Sequence, residues 1–196
     1  MTTASPDEVL GFWFEGDRHS FRDCWFRQSD AYDAAIRARF GPLPALGRDG
    51  ALDHWAATPM GALALALVLD QFPRNLHRGS AEAFACDAKA REVAGAAIFR
   101  DRFDLRALTH TERVFLYLPF EHAEDMAGQD LSVALYEGGL RDAPDPRHRL
   151  PGGTIDYAWR HWQVIRTFGR FPHRNGALGR ASTPAEQAWL EAGGGF

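Results

Sequence analysis

Apolar residues recur every three or four positions along most of the chain, and no apolar–polar alternation persists between hairpin turns. The pattern predicts an all-α protein of antiparallel helices, roughly eight or nine of them by periodicity. The most apolar stretch is Thr58–Asn75, TPMGALALALVLDQFPRN. Thr58-Pro59 reads as a helix cap followed by proline at the first helical position. Met60–Leu69 is apolar nearly all round, the mark of a central, buried helix. Proline removes a backbone donor and disfavours the α conformation in the residue before it. Pro73 therefore predicts a stop around Asp70–Phe72, with Arg74, Asn75, His77 and Arg78 in the following loop.

Other starts and stops are written as plainly. Ser5-Pro6-Asp7-Glu8, Thr109-His110-Thr111-Glu112 and Thr183-Pro184-Ala185-Glu186 are capping boxes. The first opens a helix ending near Gly16. Phe21–Phe40 reads as one helix with Trp25, Ser29, Tyr32, Ile36 and Phe40 on a stripe, stopped by Gly41-Pro42. Leu43–Gly50 reads as a loop or broken turn, and Ala51–Ala57 as a short helix. Ser80 is the expected cap of a helix running to about Arg100, followed by a polar connection over Asp101–Leu108. Pro119 predicts a kink or break in the helix begun at Thr109, which resumes over Phe120–Leu140. Asp142–Gly153 is the clearest long loop. Ile155–Phe168 places Ala158, His161, Trp162, Ile165 and Phe168 on one face and stops at Gly169. The last helix frays into Gly193-Gly194-Gly195.

The chain has 196 residues, and no internal linker divides it, so a single domain over residues 1–196 is expected. The net charge of −4 lacks the basic footprint of a nucleic-acid binder. No apolar run is long enough to span a bilayer, and the N-terminal segment lacks the basic and apolar regions of a secretory signal. Cys24 and Cys86 are far apart and outside any CxxC pattern, as in reduced thiols. A cytoplasmic location and no nucleic-acid or membrane partner follow as expectations. Lys89 is the only lysine. GC-rich codon usage accounts for that arginine bias as well as a need for guanidinium forks does.

Three segments hold most of the unusual polar residues: LDQFPRN at Leu69–Asn75, LPFEHAED at Leu118–Asp125, and FGRFPHRN at Phe168–Asn175. With VLGFWF at Val9–Phe14 and LGRASTPAE at Leu178–Glu186, they resemble the domain of unknown function 924 family of bacteria. The resemblance covers nearly the whole chain. It implies an all-helical fold similar to tetratricopeptide superhelices, although the Trp, Gly and Tyr spacing of such repeats is not visible. It carries no established reaction, so no catalytic residue is transferred. Ala123 stands where the family pattern leads us to expect serine, which removes any hydroxyl role there.

The residues themselves leave several chemistries open. Arginine after a helix end bonds free carbonyls and complements the negative end of the helix, and this architectural reading suffices for Arg74, Arg78, Arg170 and Arg174. The functional alternative is an anion pocket in which guanidinium forks grip a carboxylate or phosphate. In a helix, Glu121 and Asp125 would share a face beside Glu124 and would need cationic partners. An Arg74–Glu121–Arg174 network is the simplest arrangement. His122, His161 and His173 are able to converge with Glu121, but no HExxH, no paired Glu-x-x-His and no PCxxC supports a metal site. No cofactor is implied, since P-loop, Rossmann and GxSxG patterns are all missing. The leading expectation is a binding module for a small anionic ligand or an acidic peptide end. Its site would draw on Asp70, Arg74, Asn75, Glu121, His122, Arg170, His173, Arg174 and Asn175. An enzyme using Glu121, His122 and His173 for general acid–base work is the alternative. A protein-interaction scaffold, which would show a large exposed apolar patch, is the third.

Overall fold

The computed structural model describes residues 4–99 and 103–196. Among these residues there are nine α-helices, six short 3-10 turns and no strand. The all-helical expectation holds. Two compact units can be separated by their internal contacts. The first takes the chain up to Arg78 together with Glu82–Pro119, and the second takes Gly79–Ala81 together with Phe120–Phe196.

The first unit is built around α4 (Pro59–Leu76). Around it pack α1 (Pro6–Trp13), α2 (Asp30–Phe40), α3 (Leu43–Arg48) and α5 (Asp87–Phe99). Every residue of α4 from Gly61 to Pro73 is buried, as its all-round apolar pattern requires. Trp13 supplies the aromatic hub, 5.8 Å from the Phe72 ring and edge-on to Phe115 at 5.5 Å. Ser5 and Thr58 cap α1 and α4 as expected, Ser5 in a full capping box.

The helix α6 (His110–Glu121) opens on the Thr109–Glu112 box. That box also ties down the loop at Asp17–Ser20. Thr109 and Thr111 donate their hydroxyls to the carbonyls of Arg18 and His19 at 3.0 and 2.7 Å. Arg18 in turn donates to the buried Glu112 carboxylate at 2.5 Å.

In the second unit, α7 (Met126–Leu140) packs on α8 (Thr154–Phe168), and α9 (Pro184–Glu191) packs on a 3-10 turn at Pro172–Arg174. Val164, Ile165 and Phe171 form its core, joined by Met126, Phe168 and Trp189. The buried Gln129 donates to the carbonyls of Glu121 and Ala123 at 2.7 and 2.8 Å. These are groups that the end of α6 leaves without helical partners. Ala123 is itself fully buried.

Several boundaries differ from expectation. Neither internal proline ends its helix: α4 continues through Pro73 to Leu76, and α6 continues through Pro119 to Glu121. Each proline costs one backbone donor. Continuing the helix past Pro73 and Pro119 buries Asn75, Leu76 and Phe120, which offsets that cost. Arg74 and Asn75 thus lie in the last turn of α4. The break near Pro119 falls instead at His122–Asp125, where Asp125 caps α7 through Gly128 N at 2.7 Å. Asp125 is therefore not one helical turn on from Glu121.

Phe21–Phe40 is not one helix, because Ser29 caps α2 through Tyr32 N. Leu43–Arg48 is helical. Ser80 is followed by a 3-10 turn at Ala81–Phe84, and α5 begins only at Asp87. The expected stop near Arg100 and the start of the following connection at Asp101 lie outside the described residues.

Backbone bonding continues from α9 into the glycine tail. Gly193 and Gly194 donate to the carbonyls of Leu190 and Trp189, and a Cβ on Gly194 would stand 2.3 Å from the Trp189 ring. No helix among the described residues is long and apolar enough to cross a membrane.

Candidate functional site

The two FP segments share Phe-Pro and Arg-Asn, with His173 inserted in the second, but not a conformation. Phe72-Pro73-Arg74-Asn75 is helical, whereas Phe171 is extended and Pro172 opens a 3-10 turn. Gly169 makes the difference. It takes a left-handed conformation at φ 71° and ends α8 two residues before Phe171.

In the first unit the expected residues are bound into the frame. Arg74 pairs with Asp87 at 3.0 and 3.1 Å, lies 3.4 Å from Asp70 Oδ1, and also donates to the Asp70 carbonyl. Burial opposes the charge on Arg74, but Asp70 and Asp87 outweigh it and raise its pKa. Asn75 donates to Asp33 at 2.7 Å, and Arg78 grips the same carboxylate through two nitrogens at 2.6 and 3.0 Å. Burial works against the ionised Asp33, but these bonds hold its pKa below the usual carboxylate range.

The second unit repeats this design with different residues. Arg170 forks onto the buried Glu186 at 2.6 and 2.8 Å, and Asn175 lies 3.4 Å from the same carboxylate. Arg170 and the Thr183 backbone lower the pKa of Glu186 to about 2. Glu124 accepts from Arg180 at 2.6 and 2.9 Å and from the Phe171 backbone at 2.8 Å. Burial raises the pKa of Glu124, and these bonds lower it further than burial raises it. The pairs Arg74–Asp87 and Glu124–Arg180 lay beyond the sequence reading. Nothing local links residues 13 or 56 positions apart.

What remains in the second unit is a cluster of imidazoles. His122 and His161 have ring centroids 6.3 Å apart. Phe171 lies edge-on to His161 at 5.5 Å and tilted to His173 at 5.5 Å. The Arg174 guanidinium stands 4.5 Å from the centre of the Phe171 ring. His161 is 6% exposed, and its Nδ1 lies 2.8 Å from the Tyr157 carbonyl and 3.2 Å from Glu121 Oε1. A carbonyl only accepts, so Nδ1 carries the proton and Nε2 is left with its lone pair.

Burial first, and then the charges of His122, Arg174 and His173, hold the pKa of His161 well below the ordinary value of 6.5. His173 is lowered to about 4, by burial and then Arg174 and His122. His173 as a residue is solvent-exposed, so screening weakens those charges more at His173 than at His161.

Sequence reasoning named His122, His173, Glu121 and Arg174 as site residues. It weighs His161 with His122, His173 and Glu121 for a metal site but leaves it out of the anion site, and it gives Phe171 and Phe196 no role. The signal for His161 was a lone polar residue on an otherwise apolar face. Among the described residues no group of three His, Cys, Asp or Glu side chains has an arrangement that would hold a metal ion. Cys24 and Cys86 are free thiols, and burial raises the pKa of Cys86.

The molecule is thus an all-helical protein with a partly buried histidine cluster beside an arginine. The chain belongs to the family described as "Bacterial protein of unknown function (DUF924)", whose model matches residues 9–194. It is similar to the solved structure of a protein of unknown function from Agrobacterium tumefaciens, at 36% identity and a TM-score of 0.81. That match covers 95% of this chain and 97% of the other. No curated protein matches.

Proposed function

We propose that the protein binds a small anion and that the histidine cluster around Arg174 is where it binds. One observation carries this reading: the Arg174 guanidinium and the imidazoles of His161 and His173 gather on the ring of Phe171, and Arg174 is among the causes that lower both imidazole pKa values. An anion beside them offsets the field that lowers their pKa values. Binding therefore draws protons onto the cluster and tightens as pH falls.

Sulfate keeps its charge across the relevant range and serves as the probe, with small carboxylates beside it. Calorimetric titration at pH 5.5 and 7.5 is expected to show tighter binding at the lower pH. In buffers of different ionisation enthalpy it is expected to show proton uptake. Arg174→Gln and the more conservative His173→Asn are each expected to weaken binding. Binding that is absent, or indifferent to both changes, would overturn the reading.

The tautomer of His161 favours a second reading, in which its Nε2 acts as a general base with Glu121 against the opposite ring nitrogen. His122 and His173 are the other imidazoles within that cluster. A panel of ester and phosphoester substrates tests it. Turnover abolished by His161→Gln supports catalysis, and turnover unchanged by it removes the reading.

A further inference from the structure

The last residue of the glycine tail, Phe196, lies on the histidine cluster. Its ring stacks on His161 with centroids 3.6 Å apart and planes 13° apart. It stands edge-on to Phe171 at 6.1 Å and to His173 at 5.7 Å, and tilted to Tyr157 at 6.3 Å. Four rings thus surround a fifth: His161 lies face to face with it, Phe171 and His173 meet it edge to face, and Tyr157 is tilted to it. Yet half of the Phe196 surface remains in water. A side chain that served only the core would be expected to bury more of itself.

The backbone that delivers Phe196 is built to turn. Gly193 and Gly195 have φ of 84° and 146°, where only glycine is readily accommodated. The tail also forms one wall of a groove of about 350 Å³, whose other walls include Arg160, Phe168 and Trp189. Withdrawal of Phe196 would leave an aromatic slot opening beside this groove, with the imidazoles and Arg174 around it.

We propose that the rings of His161, Phe171, His173 and Tyr157 form a subsite for a planar aromatic group, and that Phe196 occupies it in cis until an aromatic anion displaces it. The ligand class is a small aromatic carboxylate or an aryl phosphate. The ring enters the slot and the anionic group meets the Arg174 cluster, so this inference rests on the anion-binding reading and narrows it. An intramolecular occupant competes with ligand and weakens its apparent affinity by the fraction of time the slot is filled.

Titration of the whole chain and of Phe196→Ala, followed by NMR shifts of the histidine rings, tests the proposal with benzoate, acetate and benzyl alcohol as probes. Phe196 is half exposed, so its removal leaves the core intact. Benzoate is expected to bind the variant about twofold to tenfold more tightly than the unaltered chain, the range that a stacked ring supplies. Acetate is expected to bind both alike. If acetate and sulfate bind but benzoate gains nothing from Phe196→Ala, the aromatic slot is overturned and the anion site stands. If benzyl alcohol binds the variant as tightly as benzoate, the slot stands and the anion reading falls. If none of the probes binds either protein, both are overturned.

Discussion

At the scale of single residues, the polar signature divides into two kinds of side chain. Asp33, Asp87, Glu124 and Glu186 each receive an arginine at close range, and their job is to hold segments together. The imidazoles of His122, His161 and His173 gather around Phe171 and Arg174 instead. The test of the first kind is Arg74→Met, which keeps the stem of the side chain but removes the cation shared by two buried carboxylates. It is expected to lower stability by about 3–5 kcal/mol in chemical denaturation, the usual result of breaking a buried pair from one side. A loss under about 1 kcal/mol would mean that the pair behaves like an exposed one. The residue types of this design were legible in the sequence, as was the sufficiency of an architectural reading for the turn arginines. The pairings were not. Arg74 meets Asp87 and Arg180 meets Glu124 because folding brings distant segments together, and no spacing rule encodes that.

At the scale of helices, capping chemistry was the dependable guide and proline was not. Ser5, Thr58, Thr109 and Thr183 each perform the cap that their neighbours announce, because a cap is satisfied within four residues. Pro73 and Pro119 mislead because their local cost is set against burial contributed by remote helices, which local pattern cannot weigh. Ser29 was read as a stripe residue because a polar cap inside an aromatic run looks like one more helical position. Gly169 is the element-scale feature most open to test. Nothing crowds a Cβ there, so Gly169→Ala pays only for the left-handed backbone, about 1–2 kcal/mol. Gly169→Asn is expected to lose less, because asparagine tolerates that conformation better. Equal losses for both in thermal unfolding would place the cause in packing instead.

At the scale of the whole molecule, the histidine cluster gives stability a characteristic pH dependence. His161 and His173 are neutral when folded at pH values where the unfolded chain protonates them. Between the unfolded value near 6.5 and the folded value, about 4 for His173, the unfolded chain binds more protons. Stability therefore rises with pH across that window and is lost as pH falls through it. Burial is the main cause, joined by the charges of His122 and Arg174, and the Glu121 carboxylate beside His161 works in the opposite direction. The urea midpoint is expected to fall from pH 7 to pH 5, and His161→Gln is expected to flatten that fall. Glu186 acts below this range: its depressed pKa of about 2 adds stability that is present above its unfolded value and disappears as pH falls toward 2.

The loop at Asp17–Ser20 has a further consequence, for digestion by proteases. Its side chains face water, and Arg18 offers trypsin a cleavage site, yet two threonine hydroxyls hold the Arg18 and His19 carbonyls, and Glu112 holds the arginine itself. A protease must draw such a segment out into an extended strand before cutting it. Trypsin is therefore expected to spare Arg18 while the native chain persists, and to cut there readily once Thr109→Val and Thr111→Val release the two carbonyls.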